Sequence, residues 1–107
     1  RRPIIIEKDE SSMPIESEEA LREYVTRKVK SEIPPEEILE VIGYLSTEDV
    51  NLLSERYRKK AYGEFEGYSV VPRGKSGRIL FRVDAEGKLH VRLGMHDRIY
   101  LQTTKVS

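Results

Sequence analysis

Cysteine and tryptophan are absent from these 107 residues, phenylalanine occurs twice, and no apolar run exceeds three residues, as in Ile4-Ile5-Ile6. Without cysteine there is no disulfide, no thiolate nucleophile and no zinc–thiolate site. That usage fits a reducing compartment, and a cytoplasmic location is expected. Runs of three are far too short for a membrane-spanning helix, so no membrane partner is expected. With so few large aromatics, the core must come from Ile, Leu, Val and Tyr. The two His and the scattered carboxylates show no metal-ligand spacing, so neither metal nor cofactor is expected. The chain opens on Arg1 rather than Met, as a processed product or the end of a longer protein would, and no signal-peptide pattern is read.

Charge of one sign is scarce in each half. Lys, Arg, Asp and Glu make up 36% of the chain, yet the formal net charge is zero. Residues 1–55 carry 7 Lys/Arg against 14 Asp/Glu, and residues 56–107 carry 12 against 5. A basic C-terminal half implies an anionic partner such as RNA, DNA or an acidic protein segment.

The length gives room for one domain, residues 1–107, with one modest core. Pro3 to Glu7 is β-branched and reads as a strand. Lys8 to Glu16, with Asp9, Ser11, Ser12 and Pro14, reads as a loop. Ser17 is a good N-cap, followed by Glu18 and Glu19 where the helix dipole favours acids. Leu21, Val25, Val29 and Ile33 recur every four residues and predict an amphipathic helix of about four turns, ended by Pro34-Pro35. Pro35 opens a second helix that Gly43 stops. Ser46 or Thr47 caps a third, with Val50, Leu53, Tyr57 and Ala61 buried and a cationic end at Arg56, Arg58, Lys59 and Lys60. Gly63 and Gly67 bracket turns, Tyr68 to Val71 reads as a strand ended by Pro72, and residues 73–77 as a flexible basic loop.

Gly77 to Tyr100 is the most informative stretch. Strand periodicity puts Ile79, Phe81 and Val83 on one face and Arg78, Leu80 and Arg82 on the other. Leu89, Val91 and Leu93 likewise oppose Lys88, His90 and Arg92. Gly87 sits where a three-residue turn needs a left-handed residue, which pairs Asp84 with Lys88. The resulting register sets Val83 against Leu89, Phe81 against Val91 and Ile79 against Leu93. Arg82 faces His90, and Leu80 faces Arg92. A slip of one residue would move charge into the core. The expected architecture is α+β: an N-terminal strand, and two to three helices packed on one face of a small antiparallel sheet with a basic opposite face.

His96 and Tyr100 follow Gly94 at a spacing that puts both side chains on one side of a strand or a helix. With Arg78 they form the candidate catalytic group. Arg82, Arg92 and His90 are the candidate RNA-binding residues of the face. Lys59, Lys60, Arg73 and Lys75 are those of the basic segments around it. The matching chemistry is RNA cleavage by 2′-hydroxyl attack. One group takes the 2′-OH proton, another protonates the leaving 5′-oxygen, and guanidinium groups stabilise the phosphorane.

Arg78-Ile79-Leu80-Phe81-Arg82-Val83-Asp84, the turn, Leu89-His90-Val91-Arg92-Leu93-Gly94 and then His96 and Tyr100 resemble the C-terminal half of the RelE/ParE toxin superfamily, over roughly residues 66–101. The resemblance implies a RelE-like fold and a metal-independent endoribonuclease acting on RNA, free or on the ribosome, and held inactive by an acidic antitoxin. By motif position, Arg78 resembles the family's phosphate-binding arginine, His96 sits near its basic catalytic position and Tyr100 resembles its terminal tyrosine. The alternatives are a non-catalytic binding module, a ParE-like gyrase inhibitor, and a colicin-type tRNase domain of a larger secreted toxin, whose partner would be an immunity protein.

Overall fold

A computed structural model describes residues 1–8, 11–29, 32–61, 63–75 and 77–95. The described elements are β1 (Ile4–Lys8), β2 (Ser11–Ile15), α1 (Glu18–Arg27), α2 (Pro35–Thr47), α3 (Val50–Arg56), β3 (Ser69–Arg73), β4 (Gly77–Val83) and β5 (Leu89–Met95), with one 3₁₀ turn at Gly63–Phe65. The architecture is α+β, and the five strands form one sheet in the order β2-β1-β5-β4-β3.

The β4–β5 hairpin has the expected register: Val83 faces Leu89, Phe81 faces Val91, Ile79 faces Leu93, Arg82 faces His90 and Leu80 faces Arg92. Its turn closes through Asp84 N–H to the Lys88 carbonyl at 3.0 Å. Gly87 has a φ of 85°, a left-handed conformation that costs a residue with a Cβ but not glycine.

The sheet is mixed, however, and not wholly antiparallel. β1 lies parallel to β5, with Ile4 beside Leu89 and Ile6 beside Val91. A parallel neighbour needs a long crossover, and the three helices supply it. Residues 11–15 form a strand antiparallel to β1, where a loop is expected. β2 is an outer strand with four of its five residues exposed, so it lacks the apolar alternation that marks a strand. Pro14 is tolerated there because an edge strand need not donate on both sides.

The helices also end differently. Ser17 caps α1 as expected, its Oγ accepting from Ala20 N–H at 3.0 Å, but α1 stops at Arg27. Ile33 is buried outside any helix, and it packs so closely on Gly77 that a Cβ there would lie 2.5 Å from Ile33 Cγ1. α2 runs through Gly43 to Thr47, because Ile42 and Leu45 are both fully buried and continue the apolar stripe across it. That packing outweighs the roughly 1 kcal/mol helix penalty of a glycine. Asp49, not Ser46 or Thr47, caps α3, with Oδ1 accepting from Asn51 N–H at 2.8 Å. Ser46 is buried, its hydroxyl donating to the Gly43 carbonyl at 2.8 Å. Of the expected α3 stripe Leu53 is buried and Tyr57 half-buried, Val50 is 44% exposed, and Ala61 lies across the sheet. β3 runs through Pro72 to Arg73.

All three helices pack on the face formed by Ile4, Ile6, Ile79, Phe81, Leu89 and Val91. A smaller cluster of Ala61, Phe65, Val70 and Leu80, with Tyr68 against it, sits on the opposite face. That second cluster covers the β3–β4 side and narrows the expected basic surface. Among the described residues no helix is long and apolar enough to cross a membrane.

Candidate functional site

Alternation along the strands sends Ile5 and Glu7, Leu80 and Arg82, and His90 and Arg92 to the face away from the helices. Where β1, β4 and β5 meet near the hairpin turn, one side chain from each strand joins Asp84 of the turn and Tyr68 in one network. His90 Nδ1 is 3.1 Å from Glu7 Oε2, and its Nε2 is 2.8 Å from Asp84 Oδ2. Arg82 reaches both partners, 3.2 Å from His90 Nδ1 and 3.5 Å from Glu7 Oε2. Tyr68 donates its hydroxyl hydrogen to the other Glu7 oxygen. Its ring lies under the Arg82 guanidinium, with 5.6 Å from Cζ to centroid. Side-chain exposure is 10% for His90 and 12% for Glu7, against 36% for Arg82, so the arginine is the solvent-facing side of the group.

Electrostatics follow from these contacts. Burial alone would push the Glu7 carboxyl up. Hydrogen bonds from Tyr68 and His90 and the positive Arg82 outweigh that and hold it below the usual glutamate value. The Asp84 carboxyl falls to about 2, first through its hydrogen bond with His90 and then through the turn amide of Lys88. Both groups are therefore carboxylates at neutral pH.

Among the sequence-predicted residues, the structure brings Arg82 and His90 together, as their facing positions require. Arg78 sits four residues along β4, about 13 Å from Arg82 at strand spacing. It donates to the Gly77 carbonyl at 2.7 Å, while its buried Nε has no hydrogen-bond partner among the described residues. The Arg92 guanidinium lies 5.3 Å from the Phe65 centroid. Lys59 and Lys60 flank β3, where Lys60 Nζ donates to Ser69 Oγ at 2.8 Å. Arg73 is a strand residue and not part of a flexible loop, and it turns to the helix side, where Nε pairs with Glu37 at 3.2 Å. With Lys75, Glu32 and Ile33 it lines a pocket of about 250 Å³ remote from His90. His96 and Tyr100 lie outside the described residues.

Glu7, Asp84 and Tyr68 are the members of the network that sequence reasoning missed. Glu7 is 83 positions from His90, and only the parallel β1–β5 pairing joins them. The available signal was parity, since a buried Ile4 and Ile6 put Glu7 on the face of Arg82. Asp84 was legible as a turn residue, but its free oxygen was not legible as a histidine partner.

The described residues include no cluster of His, Cys, Asp and Glu able to hold a metal ion. What the group can do is move protons beside a guanidinium. Comparison with family models, with characterised proteins and with solved structures finds no match for this chain.

Proposed function

We propose that the chain is a RelE-like, metal-independent endoribonuclease whose reactive surface is the sheet face bearing Glu7, His90 and Arg82. One observation carries this reading: an ionised carboxylate in contact with an imidazole, 3.1 Å apart, beside a guanidinium open to solvent. Cleavage at the 2′-hydroxyl needs a proton acceptor at the 2′-oxygen, a donor at the 5′-oxygen and a cation on the phosphorane. Glu7 and His90 are too close to serve both ends of an in-line displacement, where entering and leaving oxygens sit on opposite sides of phosphorus. They therefore act as one unit, taking the 2′-OH proton on His90 with Glu7 balancing the charge. Arg82 holds the phosphate as the bidentate donor. The second proton transfer falls to another group, for which His96 is the sequence candidate. An acidic antitoxin or immunity protein would oppose Arg78, Arg82 and Arg92.

The test is incubation of the purified chain with RNA, with and without ribosomes and in the presence of a chelator. Fragments ending in 2′,3′-cyclic phosphate are expected, with rates about 10²–10⁴-fold lower for His90→Ala and for Glu7→Gln. Salt-dependent RNA binding without fragments would replace the enzyme by a binding module. Full activity in both variants would remove Glu7 and His90 from the chemistry.

A further inference from the structure

A histidine flanked by a carboxylate on each ring nitrogen has an ambiguous proton. Either Nδ1 or Nε2 can be the donor in the neutral ring, and which one it is decides the nitrogen that remains free to exchange a proton. The two flanking carboxylates differ in one respect. Glu7 stands at the end of a flexible side chain on β1 and shares its oxygens with Tyr68 and Arg82. Asp84 belongs to the hairpin turn and is fixed on two sides. Its Oδ1 accepts the backbone N–H of Glu86 at 2.9 Å and of Lys88 at 2.9 Å. With that oxygen occupied, Oδ2 has one direction left, and it lies 2.8 Å from His90 Nε2.

We infer that Asp84 is a positioning residue that keeps a proton on His90 Nε2, so that the proton exchanged with substrate is the one on Nδ1, toward Glu7 and Arg82. The assignment of this nitrogen to the proposed ribonuclease rests on that reading, whereas the tautomer itself does not. The carboxylate of Asp84 can only accept, so a hydrogen bond to it requires Nε2–H. In the neutral ring Nδ1 then carries a lone pair, and the Arg82 guanidinium, 3.2 Å away, is placed to donate to it. When Nδ1 takes a proton, Glu7 Oε2 becomes its acceptor at 3.1 Å. Nδ1 thus exchanges one partner for the other as it gains or loses its proton, accepting from Arg82 in the neutral ring and donating to Glu7 in the charged one, without moving the ring. The depressed Asp84 carboxyl, at about 2, agrees with an acceptor that stays ionised through the whole cycle. The β4–β5 turn thus serves the site as well as the sheet. The aspartate that closes the turn also aims the imidazole.

Among the described residues, the charged and titratable groups against His90 are Glu7 from β1, Arg82 from β4 and Asp84 from the turn, with Tyr68 from the segment before β3 held on Glu7 and Arg82 behind them. Among them Asp84 alone contacts Nε2. Asp84→Asn is therefore a sharp probe. The amide oxygen can still accept the two turn N–H groups, while its NH₂ is presented to Nε2 and now requires a lone pair there. Nitrogen-15 NMR of the neutral ring in the full chain is expected to show Nε2–H as the dominant tautomer. The ratio should be at least about 10-fold, and Asp84→Asn should invert it to Nδ1–H. Cleavage of a short unstructured RNA should fall about 10²–10⁴-fold in kcat, with KM changed less than about 2-fold, because Asp84 touches no substrate. A dominant Nδ1–H tautomer in the unmodified chain, or an unchanged tautomer in Asp84→Asn, overturns the inference. If the tautomer inverts but the unmodified chain cleaves no RNA, the positioning role stands and the proposed ribonuclease falls.

Discussion

The two faces of this sheet are written by alternate residues of the same strands, yet they are held together by different physics. On the helix side, Ile79, Phe81, Leu89 and Val91 stand next to Ile4 and Ile6 and are covered by Leu21, Ile38, Ile42 and Leu45. The contacts among these side chains are not directional. Any apolar shape of the right volume contributes, and the stabilisation scales with area removed from water. On the opposite face, Glu7, Arg82 and His90 hold one another at hydrogen-bond distance, and each contact depends on angle and protonation state. The difference teaches where change is tolerated. The first face fixes the fold and is indifferent to pH. The second depends on protonation state, and it is the face of the proposed chemistry.

The largest effect expected on either side is therefore a cavity under the helices. Leu45 is fully buried in the last turn of α2 and belongs to the main core. Leu45→Ala should cost about 2–5 kcal/mol of unfolding free energy, read from the denaturant midpoint at unchanged m-value. The loss should be the same at pH 5 and pH 8. A cost under about 1 kcal/mol would mean that the helices repack freely, and the distinction between the faces would fail.

Legibility in the sequence divides along the same line. The β4–β5 register could be read because both constraints on it are local: the alternation of Ile79, Phe81, Leu89 and Val91, and a glycine at the one left-handed turn position. The Ser17 cap and the α+β class were legible for the same reason. β2 was not, since Ser11, Ser12 and Pro14 bury nothing and an edge strand needs only backbone pairing. The end of α2 was misplaced at Gly43 because tertiary packing of Ile42 and Leu45 overrode a propensity. The candidate site was half legible: Arg82 and His90 face each other within one hairpin, but Glu7 arrives by a parallel pairing whose partner is most of the chain away. Sequence patterning shows which face a residue takes, and it does not show which strand lies alongside.

An intermediate effect should appear when the polar face is titrated from neutral pH into acid. Glu7 and Asp84 both have folded-state values below those of the unfolded chain, and Asp84 lies at about 2. A depressed carboxyl gives stability that is fully present above the unfolded value, near 4, and is lost as pH falls through the folded one. Unfolding free energy should thus hold from pH 7 down to about 4 and drop between about 4 and 2. Glu7→Gln should reduce this slope and cost about 1–3 kcal/mol at pH 7, because the hydrogen bonds to its carboxylate then find a weaker acceptor. A flat acid profile in the unmodified chain, by circular dichroism at fixed denaturant, would show that the network contributes nothing to folding.

The smallest effect tests whether charge pairing as such distinguishes the second face. Arg22 on α1 and Glu36 on α2 approach to 2.8 Å, closer than the 3.5 Å between Arg82 and Glu7. By distance alone the helix pair should be the stronger. Its side chains are 62% and 78% exposed, however, against 36% and 12% for Arg82 and Glu7. Water screens the exposed pair, and ordering two long side chains offsets the rest, so such contacts are worth about 0–1 kcal/mol. Arg22→Ala should shift unfolding by under about 0.5 kcal/mol at 0.15 M salt and by still less at 1 M. Arg82→Ala should cost more than Arg22→Ala at both salts, because it removes a partner shared by Glu7, His90 and Tyr68. Equal costs for the two arginines would mean that the confinement of the network adds nothing to an ordinary surface pair. The special standing of the polar face would then rest on the proposed chemistry alone.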